Sequence, residues 1–186
     1  MIHSMLGVLA ALAAFAAGAA EVAGVKIEDQ ARVGPAELVL NGAGLRKRVF
    51  FQVYAIGLYL PQKATSAAAV LEQKGAKRVA IHMLRDVGAD AFTEALADGI
   101  RANHSEAEAK ALEPKVRALG AIMAQLKEAK KGMAIALDWS GETRLLVNGS
   151  PAGQPIAGED FYRALLRIWI GDKPVQDDLK KALLGG

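Results

Sequence analysis

The sequence contains no cysteine. That excludes structural disulfides, lipid attachment through a thiol and cysteine nucleophiles, so an oxidising compartment is compatible with the chain but not indicated by it. Aromatic residues are few, and the 52% hydrophobic content therefore partly reflects small side chains, alanine above all. Neither sign of charge is in marked excess: 23 basic residues stand against 20 acidic ones, for a net +3. Nucleic-acid binders concentrate basic residues on one face, and this balance is too even to argue for that partner. Lys127, Lys130 and Lys131 do cluster, but Glu128 interrupts them, and they read as the solvated end of a helix.

Several catalytic signatures are also missing. The three histidines, His3, His82 and His104, have no His or carboxylate partner at recognised metal-ligand spacing. No G-x-S-x-G elbow, P-loop or G-x-G-x-x-G fingerprint occurs, and no cofactor is expected. The first twenty residues carry no Asp, Glu, Lys or Arg. Their apolar run, Met5 to Ala17, has the length of a signal-peptide core and is short for a membrane span. Ala17-Gly18-Ala19 fits the small-residue cleavage rule, with cleavage after Ala19 or Ala20. The sequence thus predicts a signal over residues 1–20, one domain over 21–186, export to the periplasm and no membrane span in the mature chain.

A chain of 186 residues is long enough to bury a sizeable core. Extended pieces are expected at Val22–Ile27 and Ala36–Leu40, with a turn at Asn41-Gly42-Ala43-Gly44 and a strand from there to Leu60. Ser66 or Thr65 caps a short helix over Ala67–Gln73, and Val79–Leu84 reads as a strand. Asp90–Asn103 is a helix whose Phe92, Ala95, Leu96, Gly99 and Ile100 form a core-facing stripe. Ser105 to Glu108 matches a capping box that starts a second helix, which Pro114 should break or restart. Met133–Trp139 and Thr143–Val147 read as strands, followed by the hairpin signal Asn148-Gly149. Asp160 caps a helix over Phe161–Ile170, closed by Gly171, and a last helix spans about Asp177–Leu184. Strands, helices, strands and helices in that order argue for an α+β fold.

Chemistry concentrates in Leu38–Pro61. Strand alternation places Arg46, Arg48, Phe50, Gln52 and Tyr54 on one face, with Val49, Phe51, Val53 and Ala55 on the other as a core face. Arginine grips a carboxylate or an enolate-like oxygen through parallel N–H bonds, and a tyrosine hydroxyl adds a further donor. The same residues also suit surface ion pairs and ordinary core, and the residues alone do not choose. Eight residues of straight strand span roughly 26 Å at about 3.3 Å each, too far for one carboxylate. A joint Arg46–Tyr54 site therefore requires a bend, bulge or hairpin around Arg48–Phe50.

Two segments, LNGAGLRKRVFFQVYAIGLYLP and RIWIGDKPVQDDLKKALLG, resemble the chalcone isomerase-like family, in particular its short bacterial secreted branch. The likeness runs from about Val33 to Gly185. It implies an open-faced β-sandwich, a large antiparallel sheet with helices packed on it. In the ring-closing plant enzymes the implied reaction adds a phenolate to an enone. An arginine steadies the enolate, a threonine and a tyrosine position a water and the ketone, and an asparagine and a Thr/Ser hold the substrate. The arginine carries over as Arg46. The threonine falls on Tyr54, the tyrosine on Phe92, the asparagine on Gly99 and the late hydroxyl residue on Ile168.

These replacements turn a polar cleft into an apolar pocket with a cationic end. Fatty-acid-binding relatives in the family pair an arginine with a tyrosine, as Arg46 and Tyr54 would. The expectation is a non-catalytic binder of a fatty acid or similar amphipathic carboxylate, contacted by Arg46, Tyr54, Arg48, Phe92 and Ile168. The alternative is an isomerase or intramolecular lyase acting on a small enone-like substrate. Oligomeric state is left open.

Overall fold

The computed structural model describes residues 20–186. The expected signal segment lies outside them, save for Ala20. In chain order the first strands are β1 (Ala20–Val22), β2 (Val25–Ile27), β3 (Gln30–Val33), β4 (Ala36–Arg48) and β5 (Phe51–Leu60). Then come α1 (Ala67–Glu72), β6 (Lys77–Met83), β7 (Val87–Gly88), α2 (Ala89–Ala102), α3 (Glu106–Leu126) and β8 (Glu128–Ala129). The chain ends with β9 (Ala134–Trp139), β10 (Glu142–Val147), β11 (Ser150–Ala157), α4 (Glu159–Ile170) and α5 (Asp177–Leu183).

Seven antiparallel strands make one sheet in the order β11-β10-β9-β6-β5-β4-β3. One of its faces supports the helices. Ile56, Leu58 and Leu60 of β5, Val79, Ile81 and Met83 of β6, and Ile135 and Leu137 of β9 share a core with α2, α3, α4 and α5. The alternate residues point the other way, where Ala55 and Tyr59 join Ile27, Val33 and Leu38 in a smaller cluster under the β1–β2 hairpin. The architecture is the expected α+β open-faced sandwich.

The helices follow their sequence signals. Ser66 caps α1, its hydroxyl accepting the Ala69 N–H at 3.2 Å. Ser105 and Glu108 form the reciprocal capping box at the start of α3. Pro114 does not break that helix, contrary to expectation. It is exposed, so the Lys110 carbonyl that its missing N–H leaves unpaired lies on the solvent side. Asp160 is not the cap of α4 but lies in its first turn behind Gly158, where its carboxylate accepts from Lys115 Nζ at 2.6 Å.

Asn41–Gly44, expected to be a turn, is strand. All four residues lie inside β4, with the register shifting at Asn41. Both glycines are there for close approach by α5. A Cβ at Gly44 would sit 2.7 Å from Leu179 Cδ1, and one at Gly42 would run into the carbonyls of Ala182 and Leu183. The real turn is Val49-Phe50, joining Arg48 to its partner Phe51. Val49 and Phe51 are therefore exposed rather than core, because the hairpin projects past the layers that would cover them.

Candidate functional site

The β4–β5 hairpin supplies the fold-back that a joint site requires. Arg46 and Tyr54 are direct cross-strand partners, so their side chains leave the same face of the sheet. Between this pair and Lys47↔Gln52 the register shifts, leaving Val53 as the extra residue of a bulge. Gln52 is consequently paired with Lys47 and leaves the face that simple alternation assigned it.

Tyr54 reaches the helical layer, where Trp169 Nε1 of α4 donates to its hydroxyl oxygen at 2.9 Å. Burial raises the pKa of this hydroxyl, against the opposing pull of the Trp169 bond and of the Arg46 guanidinium beside it. Tyr54 therefore keeps its proton at neutral pH. With one lone pair occupied by Trp169, the hydroxyl is poised to donate rather than to act as a base.

Arg46 is anchored from the C-terminal segment. Its Nη1 donates to the Lys47 carbonyl and, at 3.4 Å, to Gln176 Oε1. Gln176 also accepts the Lys47 N–H at 2.9 Å and donates to the Leu45 carbonyl at 3.1 Å, clamping the end of β4 at the bulge. Among the described residues no carboxylate pairs with Arg46, nor with Arg48, Arg85 or Arg167, and of these it is Arg46 that stands opposite Tyr54. A half-buried guanidinium without an acid, beside a protonated phenol, presents the donors that an anion would require.

Phe92 and Ile168 are buried, as the apolar stripes require. Ile168 packs on Gly99, where a Cβ would lie 2.8 Å from Ile168 Cγ2. The positions that the resemblance assigns to an asparagine and a hydroxyl residue are thus one apolar contact between α2 and α4. Arg48 is exposed at the hairpin end, beyond Arg46.

Two concave regions lie elsewhere, and none of the five expected residues lines either. A groove of about 1180 Å³ runs between α2 and α3, with Ala97, Ile100 and Val116 on its floor and charges of both signs on its rim. A smaller hollow of about 240 Å³ lies on the open sheet face near Tyr59, Arg78 and His82. Trp169 and Gln176 are the site residues that sequence reasoning passed over. Both stand inside the C-terminal segment that carries the resemblance, but nothing local shows that they meet residues about 115 and 130 positions upstream.

The model of the family described as chalcone isomerase-like matches residues 19–185. Among curated proteins, none matches the chain. Among solved structures, the chain is similar to a fatty-acid binding protein of Arabidopsis thaliana, with a TM-score of 0.68 at 14% identity. That likeness covers 87% of this chain and 92% of the plant protein.

Proposed function

The chain belongs to the chalcone isomerase-like family, and on that premise we propose that it binds a fatty acid or a similar amphipathic carboxylate in the periplasm without turning it over. The observation that carries this reading is the Arg46–Tyr54 pair: a guanidinium with no acidic partner among the described residues, next to a phenol whose proton is retained and whose oxygen is fixed by Trp169. The plant structure of the same fold is that of a fatty-acid binding protein, which supports the same ligand class. The head group sits on Arg46 and Tyr54. The hydrocarbon tail runs into the helix–sheet interior towards Phe92 and Ile168, displacing side chains that fill it. No comparable support exists for the isomerase, since Phe92, Gly99 and Ile168 offer no proton and no polar anchor.

Calorimetric titration of a fatty acid and its methyl ester against the wild type, Arg46→Ala and Tyr54→Phe tests the proposal. A charge-assisted hydrogen bond is worth about 1.5–3 kcal/mol. Arg46→Ala should therefore weaken acid binding by about ten- to a hundredfold, Tyr54→Phe by less, and the ester should bind poorly throughout. Equal affinity for acid and ester, unchanged by Arg46→Ala, would overturn it. Export is tested by N-terminal sequencing of the periplasmic protein. A start at Ala20 or Glu21 is expected, the former leaving β1 whole, and an intact Met1 there would contradict it.

A further inference from the structure

The β4–β5 turn is built against the usual rules. Val49 occupies the first of its two central positions at φ +56°, where a β-branched residue is strained and glycine is preferred. Val49 is 79% exposed, Phe50 94% and Phe51 59%; these are the exposed large hydrophobic residues among those described. A turn serving only to connect two strands gains nothing from a strained valine followed by a bare phenylalanine. Local rules are broken where function requires it.

The surroundings are basic. Lys47 and Arg48 flank the turn, and the Arg85 guanidinium stacks 4.6 Å from the Phe51 ring centre. Lys130 and Lys131 stand on the adjacent loop, which Gly132 N–H ties to the Met83 carbonyl at 2.8 Å, just before Arg85. Acidic neighbours are Asp86, which accepts the Lys131 backbone N–H, and Asp177 and Asp178 at the start of α5. Elsewhere on the surface Lys26, Arg32, Lys115, Arg144 and Arg163 each pair with a carboxylate. Among the described residues, none of Lys47, Arg48, Arg85, Lys130 and Lys131 does; Lys63, Lys110, Lys173 and Lys181 are also without one, and what sets the five apart is their place around a bare apolar tip.

We infer that this hairpin tip docks the protein on an anionic phospholipid surface, with Phe50 and Val49 entering the headgroup boundary and the unpaired cations meeting lipid phosphates. A projecting apolar tip ringed by cations is the arrangement that interfacial binding uses, here on a turn instead of a helix. A second copy of the chain is a poorer occupant. Three side chains cannot supply the roughly 800 Å² per partner of a stable interface, and a two-fold contact would bring like charges together. Among the described residues no helix is long and apolar enough to cross a membrane. The inference does not depend on the fatty-acid reading. If both hold, Arg46 and Tyr54 lie just behind the docked tip, on the path of a carboxylate leaving the bilayer.

Co-sedimentation with vesicles of phosphatidylcholine alone and of phosphatidylcholine with 30% phosphatidylglycerol tests it, with no fatty acid added. The wild type should bind the anionic vesicles and release from them at 1 M salt. Each basic residue near such a surface is worth about fivefold in affinity, so Lys47→Glu with Arg48→Glu should cost at least about 25-fold. Phe50→Ser should cost about tenfold and, being at an exposed position, leave Tm unchanged. Arg32→Glu with Arg144→Glu should have little effect. Equal losses from that control pair would reduce the attraction to overall basicity and overturn the inference. Phe50-dependent dimerisation in analytical ultracentrifugation without vesicle binding would also overturn it, assigning the tip to a second copy.

Discussion

Arg46 and Tyr54, eight residues apart in sequence, face each other across the β4–β5 hairpin, and Trp169 holds the Tyr54 hydroxyl from the helical layer above. The pair is thus fixed by three elements. The strand register sets its spacing, Gln176 pins the arginine's end of β4, and α4 delivers the indole.

Trp169→Phe should act on the ligand through Tyr54. It removes one hydrogen bond, worth about 1 kcal/mol of stability, and leaves the Tyr54 hydroxyl free to rotate away from the proposed head-group position. Carboxylate affinity should fall by about three- to tenfold. In a Tyr54→Phe background the same substitution should cost no further affinity, because the two act as one unit. Additive losses would show Trp169 acting on its own.

The hairpin that makes this pair was hard to read from sequence, for a physical reason. Glycine signals a turn because of its backbone freedom, yet Gly42 and Gly44 serve a long-range contact, the seating of α5 on β4. The true turn carries Val49 and Phe50, neither a turn residue. Pro151 and Pro155 hid β11 in the same way: an edge strand tolerates the missing N–H groups that a central strand does not. Helices with regular apolar stripes, such as α2 and α4, were legible within a residue or two. The fold-back that brings Arg46 to Tyr54 was legible as a requirement of strand length, but the clamp of Gln176 and the bond from Trp169 depend on where the C-terminus lands.

Asn41 should matter for stability more than a turn residue would. Its Nδ2 donates to the carbonyls of Ala64 and Leu183 at 2.9 and 2.7 Å, and its Oδ1 accepts the Ala64 N–H at 2.7 Å. It is buried, so Asn41→Ala strands three backbone groups away from water. At about 1–3 kcal/mol per buried unsatisfied group, and less than additively, the loss should reach about 3 kcal/mol. Thermal denaturation should show a fall in Tm of about 6–12 °C for a chain of this size. A fall of only a degree or two would mean that water replaces the amide.

His82 should make stability depend on pH in a window that opens below the ordinary histidine value. It lies half-buried on β6, and burial lowers its pKa below the ordinary value of 6.5. The folded state therefore binds this proton more weakly than the unfolded chain does. Its contribution is complete above pH 6.5 and is lost as pH falls through the depressed folded value. Urea denaturation at pH 7.5 and 5.5 should show lower stability at the acid value, and His82→Gln should flatten that difference. Persistence of the full difference in His82→Gln would place the titrating group elsewhere.

Gly99 and Ile168 should behave as a single packing unit. Building a Cβ on Gly99 brings it to 2.8 Å from Ile168 Cγ2 and 3.0 Å from Cγ1, tighter than a packed core accepts. Gly99→Asn alone should therefore cost about 1–3 kcal/mol through overpacking, with only a few tenths recovered from the better helix propensity of asparagine. Ile168→Ser alone should cost about 2–4 kcal/mol, because it empties a buried apolar site. Together, the serine removes the methyl groups that the asparagine would strike and offers its amide a partner. The double variant should then be about 1–2 kcal/mol more stable than the sum of the single losses predicts, as measured by urea denaturation of all four proteins. Simple additivity would show that α2 and α4 separate freely at this contact, and that the apolar pair does not close the cleft which the resemblance places there.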